Sequence, residues 1–160
     1  MLLGCDAVSG YLPAVADVAG AIFTRPPWCE PYPAARSLSA RLLADSGSPG
    51  FVLAVALHGE ELAGFAYGMR CSRLAVLAGR EPADDFTLRE LGVLPEARGQ
   101  GLGAALHDAV LSAAEPGRRW LATHPAATEA MGLYRAQGWR SVMLTGENRL
   151  IMTSTPTKQY

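Results

Sequence analysis

The sequence of 160 residues holds one lysine, Lys158, one asparagine, Asn148, and two isoleucines, with a formal net charge of −1. That balance lacks the basic face that nucleic acid requires, so no nucleic-acid partner is expected. No stretch approaches the roughly 18 consecutive apolar residues that span a bilayer, and no membrane partner is expected either. Cysteine is sparse: Cys5, Cys29 and Cys71 are odd in number and widely separated. That usage suits reduced thiols and a cytoplasmic location. None of His58, His107 and His124 lies at ligand spacing from a cysteine, so no metal is expected. Leu3-Gly4-Cys5 resembles a lipoprotein cleavage site, but no basic segment or apolar run precedes it. It reads as part of a first strand.

Alanine, glycine, arginine and proline are abundant, at 27, 17, 13 and 11 residues. All four have GC-rich codons, so most of that bias reports base composition. Alanine also inflates the 49% hydrophobic fraction. The remaining larger apolar side chains suffice for one core, and no repeat or linker divides the chain. A single domain over residues 1–160 is expected.

Hydrophobic periodicity predicts a helix over residues 12–23, ended by Pro26-Pro27, and a second over 34–44, ended by Gly47. Between them, residues 25–33 form a loop stiffened by four prolines and carrying Trp28 and Tyr32. Residues 51–57 and 62–69 read as an antiparallel hairpin turning at His58-Gly59-Glu60. Residues 70–85 show no period. A strand over 86–93 precedes Pro95, and a helix over 102–114 follows. A strand over 119–123, a helix over 128–137 with Gly138 just past its end, and a hairpin over 139–153 complete the chain. The order implies a mixed α/β (α+β) fold with helices on the faces of a sheet.

The chemistry concentrates in residues 90–104, E-L-G-V-L-P-E-A-R-G-Q-G-L-G-A. A strand ends, glycines crowd the turn, and a helix begins. Glycine lets a backbone approach its ligand closely. The first amides of a helix lack internal partners and sit at the positive end of its dipole. Together these features make a phosphate site, with Arg98 at its lip. Gly99, Gly101 and Ala104 also satisfy the dinucleotide fingerprint G-x-G-x-x-[G/A], which keeps an oxidoreductase as an alternative. Its position counts against that reading. The fingerprint opens a doubly wound domain, and too few residues follow it here.

Val93, Pro95, Arg98, Gly101 and Gly103 match V-x-P-x-x-[RQ]-x-x-G-x-[GA]. Downstream, Ala130, Tyr134, Gly138 and Trp139 match A-x-x-x-Y-x-x-x-G-[FW]. On these two spaced motifs the chain resembles the GNAT superfamily of acetyl-coenzyme A-dependent N-acetyltransferases. The resemblance implies that family's fold, a mixed, mostly antiparallel sheet of about six to seven strands flanked by about four helices. It implies acetyl-CoA as cofactor, its pyrophosphate held by Arg98, Gly99, Gln100, Gly101, Leu102, Gly103 and Ala104. Leu91 and Val93 would serve the pantetheine arm with backbone groups. Tyr134 would protonate the departing thiolate, unless it is simply a core residue beside Met131. Arg118 and Arg119 would either reach the adenosine phosphates or lie solvated.

The acceptor implied is a primary amine on a small molecule or peptide. A lysine-like amine titrates near 10.4, so neutralising it at pH 7 costs about 4 to 5 kcal/mol, and a base must take the proton. Many family members use a carboxylate on the fourth or fifth strand, where this chain has Thr87 and Ala122. Three substitutes stay open: Glu90, turned from the face of Leu91 by simple alternation unless a bulge restores it; His124, on the face of Ala122; and Glu30. The family's asparagine after the fifth strand is replaced by Ala127. Trp28, Glu30 and Tyr32 are candidates to hold the acceptor. His58 and His107 read as solvated surface. A non-catalytic acyl-CoA-binding module is the further alternative, and a homodimer is left open.

Overall fold

A computed structural model describes residues 1–155. Its centre is a seven-stranded sheet: β1 (Leu2–Leu3), β2 (Val52–His58), β3 (Glu61–Arg70), β4 (Asp85–Val93), β5 (Arg118–Thr123), β6 (Arg140–Leu144) and β7 (Leu150–Ser154). The spatial order is β1-β2-β3-β4-β5-β7-β6, with every pair antiparallel except β4 and β5. The mixed, mostly antiparallel sheet expected from the sequence is therefore present.

The helices are α1 (Val8–Phe23), α2 (Tyr32–Arg36), α3 (Leu38–Asp45), α4 (Arg73–Leu77), α5 (Leu102–Ala113) and α6 (Thr128–Ala136). Strand alternation sends side chains to opposite faces, and each face acquires its own core. Leu53, Val55, Phe65 and Tyr67 pack under α1 and α3 with Val15, Ile22 and Leu38. Ala54, Ala66, Leu88, Leu121 and Met152 pack under α5 and α6 with Leu106, Val110 and Met131.

Three local expectations are corrected. Helix α1 begins at Val8 rather than residue 12, although this places Pro13 inside it. Val8 is fully buried, and its burial offsets the backbone hydrogen bond that Pro13 cannot donate. The helix expected over 34–44 is two, because Ser37 interrupts it; its hydroxyl donates to Ala34 O rather than capping α3. Residues 70–85 contain α4, whose single turns give too short a period to read in sequence.

The feature that matters for function is where β4 and β5 part. They pair only over Asp85–Thr87 against Arg118–Trp120, after which the strands diverge. Asp85 clamps the closed end of this V. Its Oδ1 accepts from Arg118 Nε (2.8 Å) and Trp120 Nε1 (2.9 Å), and its Oδ2 from Ser72 Oγ (2.6 Å) and Ala83 N (2.9 Å).

Candidate active site

Leu94 N donates to Ala63 O (2.8 Å), which ties the end of β4 to β3. In an antiparallel ladder successive backbone groups point to opposite edges. Leu91 and Val93 therefore turn theirs to the open side, into the V. Past Pro95 the chain reaches the glycine loop. Gly99 (φ 80°) and Gly101 (φ 78°) both adopt the left-handed region, which favours a residue without a Cβ. A Cβ on either would meet nothing within 4 Å, so the loop faces open space. Gly101 is the N-cap of α5, and no side chain caps that helix. The amides of Leu102, Gly103 and Ala104 thus point outward from the positive end of a three-turn helix. Arg98 is held at the rim: Nε donates to Val93 O (3.2 Å) and lies 3.5 Å from Glu129.

These parts line a cleft of about 510 Å³ running between Leu91–Ala104 and the start of α6, with Trp28 opposite. Its volume falls in the range of small-molecule sites. Of the residues expected to hold the cofactor, Leu91, Val93, Arg98, Gly99, Gly101, Leu102, Gly103 and Ala104 line it, and Gln100 does not. An elongated ligand with an apolar arm and a phosphate fits a cleft with apolar walls at one end and free amides at the other.

A second, smaller cavity of about 60 Å³ adjoins the first and shares Trp28, Leu91 and Ala130 with it. Glu30, Glu90 and Tyr134 line it, as do Arg41, Arg89 and Arg149. No bulge brings Glu90 to the face of Leu91: the two stay on opposite faces, across from Tyr67 and Ala66, and Glu90 lines the cavity from the α1–α3 side. Tyr67 pairs with Glu90 and Gly68 with Leu88, leaving Arg89 as the extra residue. Arg89 turns to Asp45 (3.4 Å), which also accepts from Tyr67 Oη (2.9 Å). Glu90 lies 3.9 Å from Arg41, and its side chain is 24% exposed. Burial dominates and pushes its carboxyl above the ordinary range. Arg41, Arg149 and Arg89 oppose that shift, and Glu30 adds to it.

Tyr134 is buried, and burial followed by the Glu90 charge pushes its phenol up, so it stays protonated. Its ring packs edge-on against Trp139 (6.2 Å between centroids) and beside His107 (6.5 Å). Here the expectation for His107 is corrected: it is buried, not solvated. Trp139 Nε1 can only donate, so His107 Nε2 accepts (2.9 Å) and its Nδ1–H is left to donate to Asp108 (2.9 Å). This chain of contacts fixes the wall behind Tyr134.

Several candidates lie elsewhere. His124 follows the end of β5, where the chain turns, and its Nδ1 accepts from Ala126 N (3.0 Å). It lines neither cavity. Tyr32 opens α2 and is exposed, its ring under the Arg36 guanidinium (5.5 Å) rather than in either cavity. Thr87 lies in the paired part of the V and donates to Cys71 O (3.0 Å). Arg118 and Arg119 start β5, at the opposite end of β4 from the glycine loop, roughly 25 Å away by strand rise. They do not approach the phosphate site: Arg118 is bound to Asp85, and Arg119 donates to Leu111 O (3.3 Å). Among the described residues no group of three or more His, Cys, Asp or Glu side chains could hold a metal ion, and no helix is long and apolar enough to cross a membrane.

A splayed parallel pair with a glycine loop at its open end forms a small-molecule cleft of the phosphate-binding kind. The chain matches the sequence profile of the Acetyltransferase (GNAT) family over residues 17–139, and it belongs to that family. Solved structures share the fold. A histone acetyltransferase HPA2-related acetyltransferase of Corynebacterium glutamicum has TM-score 0.70 at 23% identity, over 99% of this chain and 97% of that one. The PaiA N-acetyltransferase of Thermoplasma acidophilum, in complex with coenzyme A, has TM-score 0.65 at 14% identity, over 97% and 98%. The ribosomal-protein-S18-alanine N-acetyltransferase of Escherichia coli has TM-score 0.62 at 17% identity, over 100% and 98%. No curated protein sequence matches this chain closely enough to carry an assignment.

Proposed function

We propose that this chain transfers an acetyl group from acetyl-coenzyme A directly to a primary amine of a small-molecule or peptidyl acceptor. Acetyl-coenzyme A is the cofactor; when bound it supplies the activated thioester. The observation that carries the reading is the junction of the two cavities at Leu91, with Glu90 and Tyr134 on the smaller side. The amides of residues 102–104 and the Arg98 guanidinium bind phosphate, and the open-side groups of Leu91 and Val93 orient the arm and its carbonyl. Glu90 takes the ammonium proton of the acceptor, because a carboxyl raised toward neutrality is better matched to that task than an ordinary one. Tyr134 holds a proton at Oη for the leaving sulfur. The presence of both groups at one junction favours an enzyme over a non-catalytic acyl-CoA-binding module.

Two substitutions separate binding from chemistry. Tyr134→Phe is expected to lower kcat by about tenfold to a hundredfold while leaving the affinity for acetyl-CoA within about twofold. Arg98→Ala is expected to do the reverse, weakening acetyl-CoA by about tenfold with little change in kcat. Steady-state kinetics with thiol release, together with calorimetric titration of the cofactor, read both. Equal turnover in Tyr134→Phe would remove its role as acid.

A further inference from the structure

The smaller cavity carries more charge than an amine site needs, and the charge alternates in sign. Arg149 Nη2 lies 4.0 Å from Glu30 Oε1, and Arg41 Nη1 lies 3.9 Å from Glu90 Oε1. Both separations exceed hydrogen-bonding distance, and among the described residues neither guanidinium makes a hydrogen bond. The two guanidiniums are about half exposed, whereas the two carboxylates are about three-quarters buried. Arg89 is already committed to Asp45. Between these groups stand apolar walls from Phe23, Leu38 and Leu121.

From this arrangement we infer that the acceptor is a zwitterion, a free amino acid whose ammonium enters between Glu30 and Glu90 while its carboxylate bridges Arg41 and Arg149. The inference rests on the acetyl-transfer reading and narrows its acceptor. An ammonium fits the inner, carboxylate-lined end, next to Leu91 and the wider cleft. A planar carboxylate suits two forked guanidiniums with donors to spare at the mouth. A polycation such as a polyamine meets the wrong sign at the entrance, where Arg41 and Arg149 are about half exposed. A peptide or protein N-terminus brings the ammonium but no adjacent carboxylate, which leaves both guanidiniums with only their long contacts to Glu30 and Glu90.

The test is a panel of free amino acids, their matched carboxamides, isoamylamine and spermidine, each assayed with the full chain for thiol release from acetyl-CoA. Amidation lowers the pKa of the neighbouring amine, so intrinsic reactivity favours the amides. The proposal expects the reverse order, with kcat/KM for the best free amino acid about tenfold or more above its amide. Arg149→Gln and Arg41→Gln are each expected to collapse that ratio toward one, and Arg149→Lys to restore part of it. Preferential turnover of an amide, isoamylamine or spermidine overturns the inference and leaves acetyl transfer standing. So does an acid-to-amide ratio that survives both glutamine substitutions. Silence from every amine also overturns the inference, and the acetyl-transfer reading falls with it if acetyl-CoA leaves the melting midpoint of the native chain unmoved.

Discussion

Glu90→Gln is expected to lower turnover by about a hundredfold or more, the usual scale for loss of a positioned general base. The cofactor cleft does not include Glu90, so acetyl-CoA affinity is expected to persist. The pH profile gives a sharper signature. Glu90 must be ionised to accept a proton, and burial raises its carboxyl above the ordinary value of 4.5. In the native enzyme kcat therefore rises with pH as that group ionises, and Glu90→Gln removes this limb. The same shift has a consequence for stability. A group whose folded pKa is raised contributes stability in full below its unfolded pKa and loses it as pH rises through the folded value. Ionised Glu90 thus costs the fold, and Glu90→Gln is expected to melt no lower than the native chain, even as it loses activity. Calorimetric melting at pH 7 beside the kinetic profile checks both halves. A variant with native turnover, or one that melts well below the native chain, contradicts the assignment.

Asp85→Ala is expected to cost about 3–5 kcal/mol of stability, because it removes one partner of a buried, hydrogen-bonded ion pair and strands the other. Asp85 is 3% exposed and satisfies Arg118, Trp120, Ser72 and the Ala83 amide at once. Burial by itself pushes this carboxyl up; the hydrogen bonds from Arg118, Ser72, Ala83 and Trp120 outweigh it and hold the group at about 2. The folded pKa is depressed from 3.8, so the stabilisation is present above that value and is lost as pH falls from about 4 toward 2. Denaturant melts across that window are expected to fall more steeply for the native chain than for Asp85→Asn, which carries no titrating carboxyl. Because Asp85 closes the V between β4 and β5, its loss also loosens the cleft at the far end. Equal melting midpoints for the native chain and Asp85→Ala contradict this role.

The two motifs were legible because they are local. Gly99 and Gly101 occupy backbone conformations that the loop demands, and the spacing from Ala130 to Trp139 is one helix followed by its exit. The wider cleft, proposed here to take the cofactor, is lined by Gly99, Gly101 and Ala130, and its place follows the sheet order implied by the family resemblance. The acceptor side was legible only in part. Trp28 and Glu30 do line the smaller cavity, but Tyr32, two residues on, belongs to α2 and faces Arg36. Glu90 keeps the face that alternation gives it, opposite Leu91, and no pattern within β4 itself announces the cavity it lines there. Arg41 and Arg149 come from α3 and the β6–β7 turn, brought together only by the tertiary fold. His107 illustrates the same limit. Helical position made it look exposed, and the partner that buries it, Trp139, lies 32 residues downstream.

The central claim is that the open V between β4 and β5 holds acetyl-CoA and not a dinucleotide. The melting midpoint of the native chain, followed while acetyl-CoA and, separately, NAD are titrated, tests it most directly. A ligand that binds only the folded state adds about 2.7 kcal/mol at a hundredfold excess over its Kd, enough to move the midpoint by several degrees. The account predicts a saturable rise with acetyl-CoA and no rise with NAD. A rise with NAD alone would contradict it.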